Sequence, residues 1–202
     1  MARKKFLNEH AFDIITDESA YWLGLLMADG NICHRNKPHN TYTLSLEMKD
    51  KEHIEKFKIF MQAEHTIFPH RNIFGISLPV KNYANRLSEF GIIPNKSLNA
   101  EVKLLQNNRH FWRGVIDGDG CLGNYKAGFT LVMNGSKILC NQFYQFVKQF
   151  CPKLKATVRK MTAGNLYVLQ ITGTNAKIIS NILYSNSLVY LDRKFDIAKR
   201  YF

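Results

Sequence analysis

Apolar and polar positions alternate most clearly between residues 41 and 49. Every second side chain there is apolar, at Tyr42, Leu44, Leu46 and Met48. A period of two predicts a strand with one buried and one polar face. Residues 51–63 instead show helical periodicity, and we expect their inner side to include Ile54, Phe57 and Ile59–Met61. A hairpin near 65–79, turning at Arg71 and Asn72, and a helix over 82–90 follow.

The same order of predicted elements returns in the second half of the chain. It comprises a hairpin at about 121–133, a helix at 136–150, strands near 155–161 and 165–172, and a helix at about 174–185. With a helix at the start of each half, the order is helix, two strands, helix, two strands, helix. We therefore predict an α+β protein of two similar halves, 1–100 and 107–202, with a bridge at about 91–106.

A direct repeat supports this division. Residues 21–30 are YWLGLLMADG and residues 111–120 are FWRGVIDGDG, so the aligned positions differ by 90 throughout. The two tryptophans of the chain, Trp22 and Trp112, occupy the same place in the repeat. Both copies end in Asp-Gly. Such a match predicts two helices with equivalent roles.

Small residues recur four positions apart in both copies: Gly24 and Ala28 in the first, Gly114 and Gly118 in the second. Glycine disfavours a helix interior by about 1 kcal/mol relative to alanine, so its repetition needs a reason. The spacing puts the small residues on one face, where a second backbone can approach. If the two helices pack through that face, Asp29 and Asp119 lie side by side at their carboxyl ends.

Two adjacent carboxylates at negative helix ends repel each other. Divalent cations remove that conflict, and oxygen ligands suit Mg²⁺ or Mn²⁺. The alternative is that Asp-Gly is simply a helix stop with a C-terminal glycine. Two copies in register, each with small residues upstream, favour the metal site over that alternative.

Charge and cysteine usage narrow the class of protein further. The 202 residues include 28 Lys and Arg against 16 Asp and Glu, a formal net charge of +12, which favours a polyanionic partner. No apolar run is long enough for a membrane span, and we expect no secretory signal. The unpaired spacing of the four cysteines predicts reduced thiols in an intracellular compartment, either a bacterial or phage-infected cytoplasm or an organelle.

The segments WLGLLMADG and WRGVIDGDG resemble the two signature helices of the LAGLIDADG homing endonucleases, in the single-chain form with two motifs. The resemblance covers nearly the whole chain, because the elements after each motif follow the family's αββαββα order. It departs from the family pattern at Trp22 and Trp112, at Arg113 and at Met27. The acid that binds metal in the family is present in both copies, as Asp29 and Asp119.

The resemblance implies two antiparallel four-stranded sheets related by a pseudo-twofold axis, forming a saddle over double-stranded DNA, with the signature helices at the interface between halves. It implies divalent metal held by Asp29, Asp119 and the carbonyls of Ala28 and Gly118. It also implies further catalytic residues at Asp50, with a counterpart near Asn134 or Gly135, and at Lys96 and Lys194 (or Arg193). The implied activity is metal-dependent cleavage of both DNA strands by a monomer.

Polar residues on the hairpins are the candidates for DNA contact. They are His34, Arg35, Asn36, Lys37, Asn40, Lys49, His70, Arg71 and Asn72 in the first half, and Lys126 (after Tyr125), Lys155, Thr157 and Arg159 in the second. Phosphate contacts would supply affinity and base contacts specificity. The halves differ at nearly every such position, so the sequence predicts a long target that is not palindromic.

Two other interpretations keep parts of this picture. A nucleic-acid-binding protein of the same fold that does not cleave would be an RNA-splicing maturase, with intron RNA as its partner, or a DNA-binding regulator. A basic scaffolding protein would give no reason for two matched acids. The presence of both Asp29 and Asp119 favours the nuclease.

Overall fold

The computed structural model describes residues 5–35, 41–126, 128–162 and 164–202. The helices are α1 Asp17–Ala28, α2 Lys51–Phe60, α3 Ala84–Glu89, α4 Arg109–Asp119, α5 Lys137–Phe150, α6 Gly173–Tyr184 and α7 Asp192–Ala198. The strands are β1 Gly30–Arg35, β2 Thr41–Met48, β3 Phe68–His70, β4 Ile73–Pro79, β5 Gly120–Tyr125, β6 Gly128–Gly135, β7 Arg159–Lys160 and β8 Tyr167–Thr172. Short 3₁₀ helices span Lys96–Leu98 and Lys199–Tyr201.

The strands form two antiparallel four-stranded sheets with the same topology. The first sheet has the order β1-β2-β4-β3 and the second sheet the order β5-β6-β8-β7. Leu46 pairs with Gly30 and Ile76 in the first sheet, and Met133 pairs with Gly120 and Leu169 in the second. The matching registers confirm the predicted pair of αββαββα halves.

Each sheet has one face toward the helices and one face away from them. On β2 the side chains of Leu44, Leu46 and Met48 are buried, whereas Glu47 is exposed, as the alternation predicts. A period of two divides the residues of a strand between the two faces, and paired residues of antiparallel strands share a face. The face carrying Glu47 is called the outer face of the first sheet, and its counterpart through Asn134 the outer face of the second.

Helices α1 and α4 pack against each other through the repeated small residues. A Cβ added at Gly24 would lie 1.9 Å from the carbonyl oxygen of Phe111, and one at Gly114 would lie 2.1 Å from that of Tyr21. Nearer the carboxyl ends, a Cβ at Gly118 would lie 2.4 Å from the Cβ of Ala28. The two backbones are therefore in direct contact, and the predicted helix interface is confirmed.

The repeated tryptophans fasten each signature helix to the second helix of its own half. The ring of Trp22 lies 5.2 Å from that of Phe57 on α2, and the ring of Trp112 lies 5.1 Å from that of Phe143 on α5. Both tryptophans are fully buried. The tryptophan of each repeat therefore makes the same aromatic contact within its own half.

The structure corrects several predicted element boundaries. The strand expected over 155–161 pairs only at Arg159–Lys160, although burial still alternates through 154–158. An edge segment can keep the apolar pattern of a strand without having ladder partners. Helix α2 ends at Phe60, and Ile59 is 74% exposed, so its predicted place on the inner side is wrong.

A seventh helix, α7, was not predicted from the sequence. It follows the loop after α6 and contacts both α6 and β5. Its buried face includes Lys194. The sequence pattern of this segment, LDRKFDIAKR, is dominated by charge, which hid a helix stabilised by tertiary contacts.

Two general features of the chain bear on the class of protein. None of the helices in the part of the chain that the structure describes is both long and apolar enough to cross a membrane. The four cysteines are free thiols, with Cys33 and Cys121 exposed and Cys140 and Cys151 buried.

We expect Gly24→Ala to destabilise the protein by roughly 2 kcal/mol or more, because the methyl group would overlap the Phe111 carbonyl and push the helices apart. The gain in helix propensity, about 1 kcal/mol, opposes this loss but is smaller. Urea unfolding measures the difference. Gln145→Ala on the exposed side of α5 is the control, with an expected change within about 0.5 kcal/mol. Equal stability of the two variants would contradict the close helix contact.

Candidate active site at the meeting helix ends

The two repeated acids meet where α1 and α4 end. Asp29 is the C-terminal cap of α1 and Asp119 is the last residue of α4. A Cβ at Gly118 would lie 3.0 Å from Oδ2 of Asp29, which places that carboxylate against the backbone of the other half. Both acids are largely buried. The sequence prediction that these acids come from different halves to one place is supported by this contact.

Burial and mutual repulsion disfavour the ionised acids. Burial raises the pKa of Asp29 to about 6, and the charge of Asp119 raises it as well. Burial also raises the pKa of Asp119. The positive charges of Lys96 and Lys194 act in the opposite direction on both acids. The site therefore holds two carboxylates whose unfavourable ionisation the lysines offset only in part.

One buried lysine accompanies each helix end. Lys96 Nζ donates a hydrogen bond to the carbonyl of Gly30 at 2.5 Å. Lys194 Nζ donates to the carbonyl of Gly120 at 2.6 Å, and also to those of Ile116 and Asp117 at 2.6 and 2.8 Å. Gly30 and Gly120 are aligned positions of the repeat. The structure thus brings both predicted lysines to the acids. Each lysine donates a hydrogen bond to the glycine that ends the repeat of its own half.

The lysines stabilise the ends of the signature helices. Carbonyls in the last turn of a helix lack partners within the helix and carry partial negative charge, which an ammonium group satisfies. Burial lowers the pKa of Lys96 and of Lys194, while neighbouring acids raise them. Arg193, the alternative to Lys194, is exposed and lies outside this cluster of carbonyls.

Asp50 lies at the start of α2 and forms an ion pair with Arg193 of α7. Arg193 Nε donates to the two carboxylate oxygens at 3.3 and 3.2 Å. The equivalent helix α5 begins after Ser136, which directly follows Asn134 and Gly135, so a serine stands at the helix start that Asp50 occupies in the first half. Ser136 Oγ accepts from the N–H of Leu139 and is fully buried, which gives it a capping role.

Asn134 still reaches the site from the adjacent strand. Its Nδ2 donates to the backbone carbonyl of Asp119 at 3.4 Å. Asn134 also lines a small cavity of about 160 Å³, together with Met27, Ala28, Ser97 and Asp119. The cavity leaves room for small ligands beside one of the two acids.

A buried hydrogen-bond network at the interface was missed by sequence reasoning. Asp117, which is completely buried, accepts hydrogen bonds from Tyr21 Oη at 2.8 Å, from Tyr184 Oη at 2.6 Å and from the N–H of Leu191 at 2.8 Å. Tyr21 belongs to α1, so the network joins the halves. His53 Nε2 lies 2.7 Å from the hydroxyl oxygen of Tyr21. The only sequence signal was an acid two positions before Asp119, where the first copy has Met27.

Arg113 completes the asymmetry between the two motifs. Its guanidinium is buried and donates to the carbonyls of Leu183 and Val189, at 3.0 and 2.8 Å. The same group lies 5.1 Å from the centre of the Tyr21 ring. Arg113 therefore holds the end of α6 and the loop that follows it. That loop leads to α7, on which Lys194 lies.

The residues present suit a hard divalent cation that has other ligands besides protein. No group of three or more His, Cys, Asp or Glu side chains placed to hold a metal occurs among residues 5–35, 41–126, 128–162 and 164–202. The candidate donors are the two carboxylates and, as the sequence resemblance implies, the carbonyls of Ala28 and Gly118 in the terminal helical turns. Mg²⁺ is commonly bound by one or two carboxylates, with water and substrate phosphate completing its shell. The donor set fits that pattern.

The candidate DNA-contact residues fall into distinct locations. Exposed residues occur at the β3–β4 and β5–β6 turns, after β2 and before β7, and they include Arg71, Asn72, Lys126, Lys49, Lys155 and Thr157. His70 ends β3, with Nδ1 3.8 Å from a carboxylate oxygen of Glu47. Arg35 is the last residue of β1. Asn36, Lys37 and Asn40 lie outside the described residues.

Two of the candidates have notable neighbours. His34 stacks on Tyr42, with ring centres 4.0 Å apart, and its register places it on the helix side of the first sheet rather than on the outer face. Arg159 lies on the outer face of the second sheet, with Nη2 3.4 Å from Oε1 of Gln170. Gln170 was not among the predicted residues, because the alternation of β8 shows its face only once the sheet is assembled.

Comparison with known proteins shows which fold this chain shares. No protein-family model and no curated protein matches the sequence. The chain is similar in structure to mesophilic variants of the homing endonuclease I-DmoI, with 16% identity, 96% of this chain and 99% of that chain covered, and a TM-score of 0.66. I-DmoI in complex with DNA and Mn gives 17% identity, coverage of 89% and 99%, and a TM-score of 0.61.

A third solved structure shares the fold. The I-SmaMI LAGLIDADG homing endonuclease bound to cleaved DNA has 12% identity, with 91% of this chain and 87% of that chain covered and a TM-score of 0.60. The chain therefore has the LAGLIDADG homing endonuclease fold in its single-chain, two-motif form, which confirms the fold that the sequence resemblance implied.

We expect Asp29→Asn to stabilise the protein at about pH 7.5 by roughly 1 to 3 kcal/mol when divalent ions are chelated. The pKa of Asp29 rises from 3.8 to about 6 on folding, so the unfolded chain loses this proton first as the pH increases. The free-energy cost of ionising Asp29 in the folded protein grows as the pH rises between these two pKa values, and it reaches its full size above the higher one. At about pH 4 the gain should nearly vanish.

Urea unfolding at both pH values measures this effect. Asp196→Asn, which removes an exposed acid paired with Lys199, is the control and should change stability little at either pH. A variant at position 29 that is less stable than the wild type at pH 7.5 would show that the carboxylate is not destabilising.

We expect Lys194→Met to lower the free energy of unfolding by roughly 2 to 4 kcal/mol, because three carbonyls of α4 and its following glycine lose their charged donor. Methionine keeps the length and apolar stem of lysine. Lys199→Met, at an exposed ion pair, is the matched control and should cost less than about 1 kcal/mol. Equal losses in the two variants, measured by thermal and urea unfolding, would rule out this role.

Proposed function

We propose that the protein is a site-specific DNA endonuclease that cuts both strands of a long, asymmetric target by divalent-metal-assisted phosphodiester hydrolysis. The observation that carries the proposal is the pair Asp29 and Asp119, one from each half, brought together at the ends of α1 and α4. A structural neighbour is a homing endonuclease bound to cleaved DNA. The activity would then serve the mobility of an intron or gene.

The metal chemistry is proposed from the donor set. Asp29 and Asp119, with the carbonyls of Ala28 and Gly118, are the residues that would hold Mg²⁺ or Mn²⁺. Bound there, the ion would supply a more acidic water and charge neutralisation at the scissile phosphate. The raised pKa of Asp29, caused first by burial and then by Asp119, supports the proposal because a cation would relieve both unfavourable effects. A neighbouring structure contains DNA and Mn.

The two lysines would have different tasks. An ammonium group has three hydrogens to donate. Lys194 makes three hydrogen bonds to carbonyls, so it holds the end of α4 and contributes positive potential without a direct contact to substrate. The bond from Lys96 to Gly30 uses one hydrogen, which leaves Lys96 able to orient a water or a phosphate oxygen. Asp50, paired with Arg193, would order solvent on the side of Asp29.

Duplex DNA as the substrate is supported by charge and by the outer faces of the sheets. The net charge of +12 favours a polyanion. Matched positions of the outer faces carry different side chains, with Ser77 in the first sheet where Gln170 lies in the second. An asymmetric target follows, because each half would meet its own sequence. Since both acids are in one chain, a monomer is sufficient for cleavage of both strands.

We expect Asp29→Asn and Asp119→Asn each to abolish double-strand cleavage while leaving DNA binding intact, since each would remove one metal ligand. The assay uses Mg²⁺ or Mn²⁺ with duplexes flanking the gene or selected from a randomised library. Asp196→Asn, distant in role and exposed, is the matched control and should cleave like the wild type.

Two results would contradict this proposal. Cleavage that persists in both variants would place the chemistry elsewhere. Specific binding by the wild type without cutting, at every metal concentration tested, would favour the non-cleaving nucleic-acid-binding alternative, and intron RNA would then be the partner to test.

A further inference from the structure

Four side chains form a compact patch on the outer face of the second sheet. Gln170 on β8 is the register partner of Val132 on β6, and Val168 on β8 is the partner of Arg159 on β7. Val132 and Val168 are half-buried, whereas Arg159 and Gln170 are exposed. These four residues, the outer-face patch, therefore combine two exposed polar side chains with two half-buried valines.

The polar ends are coupled. Arg159 Nη2 donates to Oε1 of Gln170 at 3.4 Å, and Oε1 is the acceptor atom of that amide. The amide nitrogen of Gln170 and the remaining guanidinium N–H groups are all donors. The pair consequently presents more hydrogen-bond donors than acceptors at the outer face.

We infer that the outer-face patch recognises a guanine base in the half of the target bound by the second sheet. Guanine presents two acceptors, O6 and N7, in the major groove, whereas adenine presents one acceptor and an amino donor. A surface of donors matches the first pattern and leaves the adenine amino group facing another donor. The inference rests on the proposed endonuclease function and adds to it one determinant of specificity.

The two valines suit the same role. Half-buried apolar side chains on either side of a polar pair exclude water from the contact and can touch the methyl group of a neighbouring thymine. Because Val132 and Val168 are fixed by the strand pairing, the polar ends are held above a rigid sheet rather than on a loop. Rigid placement favours discrimination between bases.

The matched positions of the first sheet lack this arrangement. Phe68 takes the place of Arg159 and Gly75 that of Val168, while Ser45 and Ser77 replace Val132 and Gln170. The two serine hydroxyls lie 2.8 Å apart, and either can be the donor. A hydroxyl pair of reversible polarity does not select an acceptor-only base, so the guanine preference should belong to one half of the target.

The test is selection of bound duplexes from a randomised library, followed by sequencing. It uses Ca²⁺ in place of Mg²⁺, and the full chain as wild type, Gln170→Ala, Arg159→Ala and Lys160→Ala. Lys160 is the matched control, because it carries the same charge on the next residue of β7 but on the other face of the sheet. Melting temperatures measured by circular dichroism verify that each variant is folded.

We expect the wild type and Lys160→Ala to select a guanine at one position of one half-site. Gln170→Ala and Arg159→Ala should each reduce that preference by about tenfold or more. An unchanged preference in both variants, with binding retained, would overturn the inference and leave the endonuclease proposal standing. Failure of the wild type to enrich any duplex would overturn the endonuclease proposal together with the inference.

Discussion

Direct contact between the backbones of α1 and α4 is the constraint on which the rest of the structure depends. Gly24 and Gly114 each lie so close to a carbonyl of the other helix that no side chain fits between them. This contact joins the halves and fixes the distance between the helix ends. It also brings Asp29 and Asp119 together at one partly buried site, although neighbouring carboxylates repel each other.

The surroundings offset that unfavourable arrangement with buried positive charge and hydrogen bonds. Lys96 and Lys194 satisfy carbonyls at the helix ends and lower the pKa values that burial raises. Asp117, two residues from the acid of α4, ties Tyr21 of the other half into the same interface. A stable shell thus surrounds two carboxylates whose ionisation stays unfavourable, because burial raises both pKa values.

The two halves share a backbone plan but not a surface. Equivalent strands have the same register, and Trp22 and Trp112 make the same aromatic contact. Many buried positions are apolar in both halves because both must fill the space around α1 and α4, although Arg113 and Asp117 stand where the first half has Leu23 and Met27. Positions on the outer faces such as Ser77 and Gln170 are free to differ, so the two halves of one backbone plan present different surfaces.

The sequence alone was sufficient for the repeat, the strand alternation in β2, the small-residue helix faces and the position of Asp29 and Asp119 at helix ends, because each is a pattern that can be read along the chain. The sequence prediction was wrong for Ile59, which is exposed, and for the length of β7. In both places the local periodicity was not matched by contacts with another element. The three carbonyls on Lys194, the network on Asp117 and the pairing of Arg159 with Gln170 became visible only in the fold. Most of their partners lie far away in the chain or on another strand, and no periodicity records such distances.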